Sequence, residues 1–193
     1  LLLWACHKQP APATLSVYYW KTRFSLSAPQ QQFLSEYDVQ KLYIRYCDII
    51  LSRGEAVPDA PIEIDTTAIK GKEIIPVIYL KNEVFLSDKV SAELLAEKLS
   101  KYIAQINHTY NLTVKEVQLD CDWSLRSKER YFDFIKYFKA QTPYQLSATI
   151  RLHQVKYHDR TGIPPVDFGV LMYYNMGKIT ATGANSIYDR TTA

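Results

Sequence analysis

Short blocks of strict apolar–polar alternation recur along this chain, and stretches with helical spacing separate several of them. Residues 15–20 (LSVYYW), 41–49 (KLYIRYCDI), 74–80 (IIPVIYL), 116–123 (EVQLDCDW), 146–154 (LSATIRLHQ) and 168–175 (FGVLMYYN) are predicted strands. Pro76 argues against a central place for the third, because proline donates no ladder hydrogen bond. A short helical stretch is predicted near 35–39. Residues 91–110 form a longer helix, with Leu94, Leu95, Leu99, Tyr102, Ile103 and Ile106 at helical spacing. Residues 127–139 form another, with Tyr131, Phe134, Ile135 and Phe138 on one face. Strands alternating with helices predict βα units around a parallel sheet.

A parallel strand buried on both faces reads as almost wholly apolar. These strands do not. In the fourth, Val117, Leu119 and Cys121 oppose Gln118, Asp120 and Asp122. In the fifth, Leu146, Ala148, Ile150 and Leu152 oppose Ser147, Thr149, Arg151 and His153; in the first, Leu15, Val17 and Tyr19 oppose Ser16, Tyr18 and Trp20. One face meets helices and the other meets a polar space. A doubly wound sheet has no such space, whereas the lumen of a barrel does. The predicted fold is therefore α/β, a (β/α)8 TIM-barrel. Such a barrel takes about 250 residues, so this chain is expected to be its N-terminal fragment with about six strands.

Composition is that of an ordinary globular domain, 47% hydrophobic and 22% charged, which argues against disorder. Basic residues are spread along the chain and the net charge is only +3, so no nucleic-acid surface is expected. Fifteen tyrosines are enough either to pack a core or to line a sugar cleft. Cys6, Cys47 and Cys121 form no metal or disulfide framework; Cys47 and Cys121 could pair, but both lie in predicted strands and are expected to be buried free thiols. His108, His153 and His158 lack metal-ligand spacing. Neither a metal nor a cofactor is expected.

The opening Leu1-Leu2-Leu3-Trp4-Ala5-Cys6 resembles the end of a lipoprotein signal peptide, with Cys6 as the lipid-bearing residue. That divides the chain into a signal segment (1–6), a proline- and alanine-rich tether (7–14) and the partial barrel (15–193). It implies export and a lipid anchor in the bacterial envelope. The apolar run is too short to span a membrane.

Asp120 and Asp122 end the fourth strand on one face. Two carboxylates brought close cannot both ionise cheaply, so one holds its proton to higher pH, as glycosidases require. From strand phase, the other lumen candidates are Tyr18, Trp20, Arg45, Arg151, His153 and Gln154. Trp20 and Trp123 are expected to stack on sugar rings. Arg45 and Arg151 are suited to neutralising the aspartates or gripping an anionic glycan.

Leu119-Asp120-Cys121-Asp122-Trp123 resembles the fourth-strand motif DxxDxDxE of glycoside hydrolase family 18, the chitinase and endo-N-acetylglucosaminidase group. Asp120 and Asp122 match its last two aspartates, and Trp123 matches the tryptophan that commonly precedes the glutamate. Val117 stands at the first aspartate, and Ser124 stands at the glutamate that is the family's general acid. Met172-Tyr173-Tyr174-Asn175 resembles the family's MxY(D/N), which implies that Tyr174 and Asn175 hold a substrate N-acetyl group. The strand ends LDCDW, TIRLHQ and LMYYNMG are still more similar to glycosidase-like lipoproteins of gut bacteria, a group without an established activity.

Serine cannot donate a proton at neutral pH, so two functions stand side by side. One is a glycoside hydrolase acting on an envelope or cell-surface glycan, with Asp122 as proton donor or its electrostatic partner and Asp120 tuning it. The other is a non-catalytic carbohydrate-binding lipoprotein on a degenerate barrel. The expected partner in both is a glycan, and the full-length chain is expected to be a monomer.

Overall fold

The computed structural model describes residues 13–173. Six parallel strands form one curled sheet, a half-barrel in a mixed α/β chain. They are β1 (Ser16–Tyr19), β3 (Lys41–Ser52), β6 (Glu73–Leu80), β7 (Glu116–Cys121), β8 (Gln145–Arg151) and β9 (Phe168–Met172), in that spatial order. They are the six strands that alternation predicts. Two short strands, β2 (Arg23–Phe24) and β5 (Glu63–Ile64), pair separately, and β4 (Glu55–Asp59) folds back on β3.

Several boundaries differ from expectation. The first helix is α1 (Ala28–Glu36), not 35–39. Its start is set by polar residues: the Ser27 amide donates to Gln30 Oε1 at 2.9 Å, and Pro29 supplies a fixed φ in the first turn. The run Gln30-Gln31-Gln32 hides the helical period. The β3–β4 hairpin turns at Arg53 (φ 52°) and Gly54 (φ 86°), two successive left-handed residues that suit a tight two-residue turn. Asp48 and Ile49 pair with both β4 and β6, so β4 lies on the β1 side of β3. Pro58 therefore falls on an edge strand, where a missing N–H is tolerated. Pro76, by contrast, sits in an interior strand. β6 pairs with β7 only from Val77 onward, so the proline lies ahead of that ladder.

The convex face is covered by α3 (Ala92–Thr109) and α4 (Lys128–Gln141), with α2 (Asn82–Leu86) beside them. Ser91 caps α3 by accepting from the Leu94 amide at 3.2 Å. Leu95, Leu99, Ile103 and Ile106 are buried against the sheet, and Tyr102 is half-buried; Leu94 is exposed. All four predicted apolar positions of α4, Tyr131, Phe134, Ile135 and Phe138, are fully buried. They meet Leu119, Cys121 and Leu146 from the strands. Among the described residues no helix is long and apolar enough to cross a membrane.

Tyr131 is an exception inside this apolar layer. Its hydroxyl is buried and makes no hydrogen bond, a state that costs about 1–3 kcal/mol. Tyr131→Phe is therefore expected to stabilise the fold, by about 1 kcal/mol, when urea unfolding of the two proteins is compared. A loss of similar size would show that the hydroxyl is satisfied.

Candidate functional site

Parallel register fixes which side chains share a level on the concave face. Tyr43 of β3 lies beside Tyr18 of β1 and Ile75 of β6. One level higher, Arg45, Val77, Gln118 and Ser147 form a row. Above them come Asp48, Tyr79 and Asp120. Ile75 and Val77 are fully buried, so the floor is partly apolar.

The polar floor groups satisfy one another, as buried polar groups must. Tyr18 donates its hydroxyl to Gln118 Oε1 at 2.7 Å. Gln118 Nε2 donates to Ser147 Oγ at 3.4 Å, and Ser147 donates to Glu116 Oε1 at 2.7 Å. Burial pushes the Tyr43 hydroxyl up to about 12, with Glu116 adding to the effect. Tyr18 is raised further, again mainly by burial. Both therefore remain phenols that can donate.

Asp120 stands above this floor and accepts from Thr149 Oγ1 at 2.7 Å. Burial lifts its carboxyl above the ordinary carboxylate range, and the Asp48 carboxylate adds a smaller push. The Thr149 bond and Arg151 oppose the rise without cancelling it. Asp122 is different: it is exposed and ion-paired with Arg151 at the rim. β7 ends at Cys121, so only Asp120 lies in the strand; Asp122, expected to end it, follows just past its end, and one is inside while the other is at the mouth.

The arginines are occupied. Arg45 Nε donates to Asp48 Oδ1 at 2.8 Å, and its Nη1 to the Ala60 carbonyl at 3.4 Å. Arg151 is taken by Asp122. Neutralising carboxylates is thus the role the geometry gives them, and gripping an anionic glycan is not. An aromatic ladder flanks the hollow. Tyr18 stacks on Tyr43 with centroids 4.7 Å apart, and Trp20 lies parallel to Tyr18 at 5.9 Å and 6°. Trp20 is 44% exposed, which leaves ring surface free for a ligand.

Three expected lumen residues lie elsewhere. β8 ends at Arg151, not at 154, because 152–156 turn into a short helix, α5 (Leu152–Lys156). The Gln154 Oε1 accepts the Arg151 amide at 2.8 Å and closes the strand–helix junction. His153 is exposed on α5 and Gln154 is buried under it. Trp123 is only 5% exposed, stacked on Tyr131 at 5.4 Å and edge-on to Phe132, so it is a core ring and not a sugar platform. Trp123, His153 and Gln154 wall a separate cavity of about 270 Å³ with α6 (His158–Thr161). Ser124 is tied into the turn before α4: its amide donates to Ser127 Oγ at 2.9 Å. Ser127 Oγ in turn donates to Asn82 Oδ1 at 2.5 Å. Cys6, Tyr174 and Asn175 lie outside the described residues.

Strand phase missed Asp48. Alternation counted from Leu42 and Ile44 puts it on the helix side. A bulge between Arg45 and Cys47 reverses the phase and turns Asp48 inward. The signal was present as the apolar series Leu42, Ile44, Tyr46 giving way to Cys47 and Ile49. Tyr79 and Thr149 also belong to the hollow. Cys47 and Cys121 are buried free thiols; burial pushes Cys47 up to about 12 and Cys121 higher. Among the described residues no group of three His, Cys, Asp or Glu is placed to hold a metal ion.

No protein-family model matches the chain, and neither does any curated protein.

The half-buried Asp120 carboxyl, raised above its ordinary value, implies a pH dependence of stability. Its folded state binds the proton more tightly than the unfolded chain does, so folding stability falls as pH rises from the ordinary value of 3.8 towards the raised folded value. Asp120→Asn removes that slope. Relative to wild type, the variant should gain stability between pH 3 and pH 7 in urea titrations. An equal difference at both pH values would contradict a raised Asp120.

Proposed function

We propose that the hollow is the lumen of a (β/α)8-type barrel and that it hydrolyses a glycosidic bond in an uncharged glycan. Asp120 is the proton donor. The observation that carries this is the Asp120 carboxyl itself, half-buried above an ordered polar floor and held above the ordinary carboxylate range. General acids in glycosidases are carboxyls tuned in this way. The environments of the two aspartates exchange the roles assigned from sequence: Asp120 donates, and exposed Asp122 anchors Arg151 at the rim. Trp20 offers a stacking surface beside the hollow, and tyrosine hydroxyls below it are donors for sugar oxygens.

The engaged arginines favour an uncharged substrate. Around the hollow, Glu116, Asp48 and Asp122 outnumber Arg45 and Arg151 even with Asp120 left out as the proton donor, so an anionic glycan meets repulsion. The location proposed for this activity is the bacterial envelope, with Cys6 as the lipid anchor. That proposal rests on the Leu3-Trp4-Ala5-Cys6 pattern.

A second reading is a lectin-like barrel that binds the same glycan without turnover. The observation favouring it is Ser124, which replaces the family's glutamate and is locked in a turn with Ser127 and Asn82.

Reducing-sugar release from a panel of uncharged oligosaccharides tests both. Asp120→Asn should lower release at least a hundredfold, which corresponds to about 2.7 kcal/mol of barrier. Trp20→Ala should weaken binding about tenfold with a smaller effect on turnover. Binding by wild type with no release from any glycan would establish the lectin reading and retire the hydrolase.

A further inference from the structure

Trp123, His153 and Gln154, which strand alternation assigned to the lumen, meet instead around a second cavity of about 270 Å³. It lies where the chain leaves the C-terminal ends of β7 and β8, between the turn before α4 and the short helices α5 and α6. Leu125, Tyr157 and Arg160 form most of the remaining wall. None of its lining residues belongs to the polar floor of the hollow or to the row of Asp120. We propose that this cavity binds a small organic anion, a carboxylate carried on a compact apolar or aromatic body. The site stands whether or not the hollow is a hydrolase.

The lining asks for an acceptor. It contains no aspartate and no glutamate. Gln154 is only 3% exposed, and its Oε1 accepts the Arg151 amide at 2.8 Å. That bond fixes which end of the side-chain amide is oxygen and leaves Nε2, which can only donate, at the other. Nε2 is buried and finds no acceptor among the described residues. Buried donors are nearly always paired, so an unpaired one in the wall of a cavity points to an acceptor supplied by a ligand.

Arg160 supplies the charge. It is exposed, and its guanidinium makes no ion pair and no hydrogen bond among the described residues. Its neighbour Asp159 turns to His158, with Oδ1 3.0 Å from Nε2. The arginines of the hollow are the opposite case, each taken by a carboxylate. A guanidinium is a planar fork of donors with no acceptor, and a carboxylate is the group it fits best. A second cation stands at the mouth, where Lys156 Nζ lies 5.5 Å from the centre of the Tyr157 ring.

The apolar walls choose the body of the ligand. Trp123 forms part of the lining, and Leu125 and Tyr157 stand about half exposed. Inorganic phosphate has no apolar surface to lay against them, whereas an aromatic or branched carboxylate does. Sites for drug-sized ligands enclose about 300–1,000 Å³, and this cavity is just smaller, which suits a single ring. The walls are also held in place before any ligand arrives. Thr161 Oγ1 donates to the Gln154 carbonyl at 3.1 Å and ties α6 to α5. Gly162 (φ 77°) then presses the chain against α4, where a Cβ would lie 2.9 Å from Phe132 Cε2. A preformed site spends little of its binding energy on ordering.

The test titrates the full chain with sodium benzoate and, separately, with inorganic phosphate, followed by calorimetry and nitrogen-15 NMR. Benzoate should saturate one site and shift the Gln154 side-chain amide and the Trp123 indole resonances. It should bind about tenfold more tightly than phosphate, and Arg160→Gln, an exposed change, should weaken it about tenfold. Gln154→Glu keeps an oxygen for the Arg151 amide but puts a second oxygen in place of the donor, and it should abolish binding. If that variant fails to fold, Arg160→Gln decides. Asp120→Asn should leave benzoate affinity unchanged, because the hollow takes no part. Benzoate that shifts neither resonance, or binds Arg160→Gln as tightly as wild type, overturns the site. Loss of benzoate binding in Asp120→Asn places the anion in the hollow and overturns it too. Phosphate binding as tightly as benzoate overturns the assignment to an organic anion.

Discussion

A parallel sheet covered by helices on one side must satisfy every polar side chain on the other side from within. Burying an unpaired polar group costs several times what a hydrogen bond returns. The chain meets this constraint with a relay of four residues on three strands, from Tyr18 through Gln118 and Ser147 to Glu116. Because the relay satisfies the floor, the sheet can keep an open polar hollow in place of a second apolar layer. Everything proposed for the site depends on that floor, which holds Asp120 and its row in place.

Charge follows the same logic at higher cost. Each arginine that reaches the hollow meets a carboxylate, Arg45 with Asp48 and Arg151 with Asp122. The rim pair, with Asp122 exposed and Arg151 half-buried, contributes less to stability than a buried one. The inner pair is largely buried, and removing one partner would strand the other charge. Asp120 has no cation bound to it directly, and burial raises its carboxyl. A single row of the sheet thus carries one carboxylate paired with an arginine and one carboxyl that accepts from a neutral hydroxyl.

Much of the architecture was legible because burial on one face writes a period of two into a strand. Val117, Leu119 and Cys121 against Gln118 and Asp120 is such a case, and helical apolar spacing marks the two long helices in the same way. Local devices were less legible. Ser27, Pro29 and Gln30 start α1 by capping rather than by apolar spacing. The Arg53–Gly54 turn and β4 were missed because Pro58 breaks the strand pattern. Alternation runs on through Leu152 and His153 although the chain has already turned into α5, so period alone does not mark that boundary. In the site, Tyr18, Asp120 and Arg151 were found by phase. Asp48 was lost because a bulge shifts phase by one residue, and Trp123 was misjudged because an aromatic beside an acid has the same signature whether it faces a ligand or the core.

The central claim is that this fold holds the Asp120 carboxyl above its ordinary range inside an accessible polar hollow. Carbon-13 NMR of labelled aspartate, with Asp120→Asn for assignment, measures it directly. The account predicts an Asp120 midpoint clearly above the ordinary 3.8, with the resonance perturbed when an uncharged oligosaccharide is added. A midpoint at or below 3.8 would contradict it, because a carboxyl ionised as easily as in water is neither buried there nor poised to donate a proton.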